Sequence, residues 1–219
     1  MIILDFYGMP GSGKSTISHM LAEQLREEGY SVVEPSWMLD MKYSSIRRIF
    51  QKMILAMLYS VKNPKVIRNV MVQSKNLGFD FKKILKQWVN IFYTLYYESS
   101  KKEWDYMIMD EGIAQAIVSL YTENNRENYQ YCFNYFMSLI NNEIRSIYIE
   151  VSLEKVLEQL TKRNNGKSRV DKLCGESKIN MIKRIQYICE NIACKNIVIN
   201  NSRTLDDAVL KIKHYCCNG

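Results

Sequence analysis

Apolar positions along this chain change period several times, and each change marks an element. Ile2-Ile3-Leu4-Asp5-Phe6-Tyr7 is an almost unbroken apolar run of strand length, the pattern of a strand buried on both faces. Ile17, Met20, Leu21 and Leu25 then fall on one face of a helix, which Gly29 stops. Tyr30 to Glu34 predicts a second strand, ended by Pro35. From Ser45 the residues Ile46, Ile49, Phe50, Met53, Ile54, Met57 and Leu58 recur at i, i+3, i+4, i+7 and predict a helix, broken by Pro64. A second helical stretch runs to about Asn76 before Gly78, and Phe81, Ile84, Leu85, Trp88, Phe92, Leu95 and Tyr96 mark a third.

Trp104 to Met109 predicts a third strand that ends in Asp110-Glu111-Gly112, and helices with a polar turn at Glu123-Asn124-Asn125 follow. Ser146 to Val151 reads as a fourth strand, Leu153 to Arg163 as a helix, and Asn164 to Arg169 as a polar, mobile segment. A helix over about Lys178 to Ala193, a fifth strand over Asn196 to Asn200 and a helix over Leu205 to Tyr215 close the pattern. The alternation predicts an α/β fold, a five-stranded parallel sheet flanked by helices. The chain reads as one domain over 1–219, with a helical insertion between strands two and three at about 40–102.

The first strand runs into Gly8-Met9-Pro10-Gly11-Ser12-Gly13-Lys14-Ser15-Thr16, which fits G-x-x-x-x-G-K-[ST]. In such a loop the glycines let successive N–H groups turn inward onto phosphate oxygens. Lys14 reaches the β- and γ-phosphates, the Ser15 hydroxyl coordinates Mg²⁺, and the helix that follows adds its positive N-terminal end. Strand, loop and helix is the setting the motif requires, so ATP and Mg²⁺ are the expected ligands.

Composition narrows the picture little and charge narrows it more. Of 219 residues 47% are hydrophobic and only 3 are proline, which argues for a folded chain. No apolar run approaches the ~18 residues of a membrane span. The first strand begins at Ile2 and leaves no room for a signal peptide, which predicts a cytoplasmic protein. The 6 cysteines form no C-x-x-C pair and histidine is nearly absent, so reduced thiols are expected and a zinc site is not. The net charge is +7, yet residues 41–102 alone carry thirteen basic and two acidic residues. A basic lobe beside a phosphate loop suggests an anionic ligand, a membrane surface or nucleic acid. Its lysines alternate with core positions rather than forming a dense patch, which ranks nucleic acid lower, and solvated helix faces account for most of them.

Asp110 follows a hydrophobic strand, where a second acidic residue helps hold Mg²⁺, and Glu111 beside it is a candidate to polarise a hydroxyl or a water. Glu34 ends the second strand on the same rim and is a candidate base for an acceptor hydroxyl, with Trp37 nearby to stack on a planar substrate. Arg163 and Arg169 flank the polar segment and are candidates for a clamp over the triphosphate. Arg47, Arg48 and Arg68 are candidates to hold an anionic acceptor, and Asn200-Asn201-Ser202 to meet a nucleobase through backbone groups.

Together these segments resemble the nucleoside and nucleotide kinase branch of the P-loop proteins, the thymidylate kinase and deoxyribonucleoside kinase families in particular. Ile147 to Arg163 looks like the strand, helix and lid entry of both, whose lid arginines would match Arg163 and Arg169, with a lid at about 163–175. Glu34-Pro35 with Trp37 looks like the deoxyribonucleoside kinase segment that carries the catalytic glutamate; thymidylate kinases have an arginine before it, where this chain has Val33. Asn200-Asn201-Ser202 is similar to the adenine-side loop. Those families follow the third strand with an acid and then an arginine, where this chain reads Asp110-Glu111-Gly112. The resemblance implies a kinase of a small acceptor, most directly a nucleoside or nucleoside monophosphate, and a possible homodimer. A kinase of a sugar or alcohol metabolite and a P-loop ATPase acting on a macromolecule are the alternatives.

Overall fold

Every position of β1 (Ile2–Gly8) after Ile2 is buried, Asp5 included, and this strand occupies the middle of the sheet. The computed structural model describes residues 1–77, 81–100, 103–122, 128–163, 170–192, 197–201 and 204–218, with the backbone alone at 45, 72–77, 81–84, 163 and 217–218. Around β1 stand β2 (Val32–Val33), β3 (Tyr106–Met109), β4 (Glu143–Glu150) and β5 (Ile197–Asn200) in the order β2-β3-β1-β4-β5. All four pairings are parallel, as expected from the alternation of strands and helices. Because β1 lies between β3 and β4, the turns leaving β1 and β3 emerge side by side at the carboxyl rim, where parallel sheets bind ligands.

Helices α1 (Lys14–Glu27) and α10 (Leu205–Asn218) pack together beside the sheet, and α1 turns Ile17, Leu21 and Leu25 into the core with no exposed surface. On β1 and β4, Tyr7 pairs in register with Tyr148 and their rings stack at 5.4 Å. The insertion comprises α2 (Pro35–Lys42), α3 (Ser45–Lys62), α4 (Pro64–Leu77) and α5 (Phe81–Glu98). α5 is its buried spine: Trp88, Ile91, Phe92 and Leu95 join the main core, where Trp88 meets Phe136 of α7 (Tyr129–Met137). α6 (Ile113–Tyr121), between α5 and β1, is the most apolar helix in the fold, with Ile113, Ala114 and Ile117 fully buried. α8 (Leu153–Arg163), a 3-10 turn (Val170–Lys172) and α9 (Gly175–Ile192) lead to β5.

Among the boundaries that differ from expectation, three have a clear local reason. Pro35 starts a helix rather than merely ending a strand, because its fixed φ suits the first helical position. β2 shortens to two residues because Ser31, just before it, spends its N–H and hydroxyl on Asp105 Oδ2. β4 begins at Glu143, since β1 pairs with it from Ile2↔Glu143 onward. The larger departure is α3: Ile46, Ile49, Phe50, Met53, Met57 and Val61 are all exposed, and Ala56 and Tyr59 are its buried residues. The polar segment at 164–169 and the turn at 123–125 lie outside the described residues. No helix among the described residues is long and apolar enough to cross a membrane.

Candidate active site

Gly8 leaves β1 with φ 151°, and a Cβ there would sit 2.6 Å from the Ile149 carbonyl oxygen of β4, so only glycine lets the strand turn so close to its neighbour. The chain then curls through Pro10, Gly11, Ser12 and Gly13 into α1, whose first turn offers Ser15 and Thr16 to solvent. Lys14 Nζ donates to the carbonyls of Gly8 and Met9 at 3.0 and 2.9 Å, which holds the ammonium across the loop. Asn201 supports the loop from behind: its Nδ2 donates to the Ser12 carbonyl at 2.9 Å while its own N–H donates to Glu150.

The neighbouring strand supplies the acid turn. Asp5 of β1 pairs with Met109 of β3, so Asp110 leaves the sheet beside the phosphate loop. Burial, and then the adjacent Glu111 charge, push the Asp110 carboxyl above the usual carboxylate range, against the Ser15 hydroxyl and Lys52. Glu111 is more than half exposed and pairs with Lys52 Nζ at 3.5 Å, and Lys52 in turn lies over the Tyr93 ring. The turn ends at Gly112, where a Cβ would lie 2.2 Å from Asp5 Oδ1. That contact gives a physical reason why no larger residue stands at 112: the space is filled by the carboxylate of β1.

A cavity of about 560 Å³ opens between the phosphate loop, α5, α6 and α9. On one side are residues 10–16, Asp110 and Glu111; on the other, Gln87 and Asn90 of α5 face Gln115, Ser119 and Thr122 at and after α6. Gln87 is itself buried, and Gln115 Oε1 accepts the Gly8 N–H at 3.1 Å. Among the described lining residues the cations are Lys14 and Lys86. A smaller cleft behind it brings Glu34 and Trp37 to Ser15 and Asp110.

Glu34 is 3% exposed; Arg26 donates to its Oε2 at 2.8 Å and His19 Nδ1 lies 3.1 Å from its Oε1. The His19 ring stacks on Trp37 at 3.7 Å between centroids. The phosphate loop, Asp110, Glu111, Glu34 and Trp37 are therefore brought together. Arg47, Arg48 and Arg68 are not: Arg48 pairs with Asp40, Arg47 and Arg68 are exposed, and none lines either opening. The Arg163 side chain and Arg169 lie outside the described residues.

Asp5, His19, Arg26, Lys52, Gln87, Asn90 and Gln115 are site neighbours that the sequence did not single out. Asp5 carried a signal, being a charge in the middle of a strand that must be buried on both faces. The amides gave none, since a neutral side chain on an amphipathic helix looks alike whether it lines a cavity or faces water. As a Mg²⁺ site, the Ser15 hydroxyl and Asp110 are hard oxygen donors, and a cation would relieve the raised carboxyl. Among the described residues no cluster of three or more His, Cys, Asp or Glu could hold a metal, so such an ion would depend on phosphate oxygens for the rest of its shell.

Residues 2–111, from β1 to Glu111, match the family model described as Nephrocystin 3, N-terminal. No curated protein matches the sequence. The chain is similar to the YorR protein of Bacillus subtilis, solved in complex with phosphorylated GDP, with a TM-score of 0.51 and 12% identity over 99% of this chain and 95% of that one. It is also similar to deoxyadenosine kinase from M. mycoides: solved with dCMP and a flexible dCDP, that enzyme gives a TM-score of 0.49 and 16% identity over 100% of this chain and 99% of that one. The same kinase with dATP gives 0.47 and 18% over 100% of both chains. At such identities the likeness is one of fold alone, a five-stranded parallel sheet flanked by helices.

Proposed function

The chain belongs to the Nephrocystin 3, N-terminal family, and we propose that it is a phosphotransferase that moves the γ-phosphate of MgATP to a hydroxyl of a nucleoside. The observation that carries this reading is one cavity that joins the phosphate loop and Asp110 to a wall of neutral amides and hydroxyls. Gln87 and Asn90 offer paired donors and acceptors, and Gln115 its amide N–H, which suit the edge of a nucleobase and a sugar. A nucleoside monophosphate would call for a cation fixed on that wall; the described cation there is the exposed Lys86 of α5, and Arg47, Arg48 and Arg68 stand elsewhere. A nucleoside is therefore the acceptor we favour.

In this reading residues 10–16 cradle the triphosphate with backbone N–H groups, and Lys14 turns from its loop carbonyls to the transferring phosphate. Ser15 and Asp110 hold Mg²⁺, which supplies positive charge to the phosphate oxygens. Glu111, open to the cavity, orients the acceptor hydroxyl and takes its proton. Glu34, closed in by Arg26 and His19, holds the rim on which Trp37 sits. Arg163 and Arg169 add charge over the triphosphate. Catalysis is then chiefly positioning and electrostatics. For the homodimer, the exposed apolar side of α3 is the surface we assign, and light scattering across a concentration series with Ile49→Glu tests it.

The deciding experiment offers MgATP with nucleosides, nucleoside monophosphates, sugars and phosphosugars, and reads the products by mass spectrometry. Phosphorylation confined to nucleosides is expected. Steady ATP hydrolysis without a phosphorylated product would replace this reading with an ATPase. Glu111→Gln is expected to lose turnover while retaining ATP, and loss with Glu34→Gln alone would move the base to Glu34.

A further inference from the structure

We propose that Asp5, Gly112 and Gln115 form a clasp that sets the acid turn against the phosphate loop, with Asp5 as its positioning residue. Asp5 lies in the middle of the central strand and is 1% exposed. What meets its carboxylate is backbone: Oδ2 accepts the Ala114 N–H at 2.9 Å, and the Ile113 amide acts in the same sense. Oδ1 has no hydrogen-bond partner among the described residues and lies against Gly112. A carboxylate is costly in such a place, and a serine or aspartate at the helix N-cap would satisfy the same amides more cheaply. Here the N-cap is Gly112, which makes no side-chain cap, and any Cβ there would collide with Asp5.

The two arrangements differ in what they fix. A local cap joins a helix to its own turn, whereas a cap that comes from β1 joins α6 to the strand that carries the phosphate loop. One residue beyond Ala114 the connection runs the other way, and Gln115 Oε1 accepts the N–H of Gly8 at 3.1 Å. Two hydrogen bonds of opposite direction thus close a ring through Asp5 to Gly8 and Gly112 to Gln115. Asp110 and Glu111 directly precede that ring, so it determines where they stand relative to Lys14 and Ser15.

Gly112→Ala tests the contact and Asp5→Ala relieves it. In nucleoside phosphorylation, Gly112→Ala is expected to lower kcat about 10²-fold with a much smaller change in the KM for ATP, because the acid turn moves and the loop does not. The pair Asp5→Ala with Gly112→Ala should recover at least about tenfold of that loss, since the side chains no longer collide. This kinetic arm rests on the phosphotransferase reading. A second arm does not: amide hydrogen exchange by NMR should quicken at Ala114 in Asp5→Ala and at Gly8 in Gln115→Leu. Asp5→Asn keeps an acceptor for Ala114 and should restore its protection, which also serves if Asp5→Ala does not fold. Additive losses for the Asp5 and Gly112 variants, or unchanged exchange at Gly8 and Ala114, would overturn the clasp. If no nucleoside is phosphorylated even by the unaltered protein, the functional reading falls while the exchange pattern still decides this one.

Discussion

Helices α1 and α3 carry the same apolar periodicity and meet opposite fates. Ile17, Leu21 and Leu25 of α1 are fully buried against the sheet, whereas Ile46, Ile49, Phe50, Met53 and Met57 of α3 face outward. α3 holds its place through the other side, where Ala56 and Tyr59 pack inward and Lys52 reaches Glu111. Periodicity reports that a segment is a helix with an apolar stripe; it does not report which surface covers the stripe. The two helices also divide the chemistry. α1 begins at Lys14 and turns its N-terminus toward the glycine-rich loop, while α3 presents Lys52 from its inner side and Arg47 to solvent.

Four measurements bear on that contrast, two on activity and two on stability, with the larger effect first in each pair. Lys14→Ala, at the start of α1, should reduce phosphoryl transfer by at least about 10²-fold, with loss of ATP binding by calorimetry. Arg47→Ala on α3 should leave the acceptor KM within about twofold, and a tenfold rise would return the α3 arginines to the site and break the contrast. Leu21→Ala removes a fully buried side chain and should cost about 2–5 kcal/mol in urea unfolding. Met57→Ala, 69% exposed, should stay within about 0.5 kcal/mol. A larger loss that depends on protein concentration would mean that a second copy covers α3 as α1 is covered by the sheet.

Below α1 the interior also titrates. Burial raises the Asp5 carboxyl to about 7, against the Ala114 and Ile113 amides. Since the folded value lies above the unfolded one, the stability contributed by neutral Asp5 is complete below about pH 4 and lost as pH rises through about 7. Relative to Asp5→Asn, the unaltered protein should therefore lose melting temperature between about pH 4 and 8, by the equivalent of a few kcal/mol. A modest effect is expected from Lys52→Met. It separates the inner side of α3 from Glu111 and should lower kcat a few-fold, about what one exposed ion pair contributes, with stability unchanged.

Much of this was legible in the chain. Five strands, the phosphate loop, α1, α8 and Asp110 follow from runs and spacings that depend on neighbours in sequence, and those survive folding almost intact. Glu34 and Trp37 were legible as a location, but their partners were not, because His19 and Arg26 come from another helix and meet them only in three dimensions. Gln87, Asn90 and Gln115 were illegible for the same reason. Gly112 is the instructive case: as a sequence it is a missing side chain, and as a structure it is the space Asp5 fills.

The hydrogen bond from Asn201 to Ser12 joins positions 189 apart in the chain. β1 likewise pairs with β3 and β4, neither of which follows it closely in sequence. During synthesis β1 precedes both of its neighbours by a long stretch of chain, and its two edges stay unpaired until β3 and then β4 have been made. The back of the phosphate loop stays open until residue 201 follows. The loop therefore reaches its final, supported form late, only after β5 has been made.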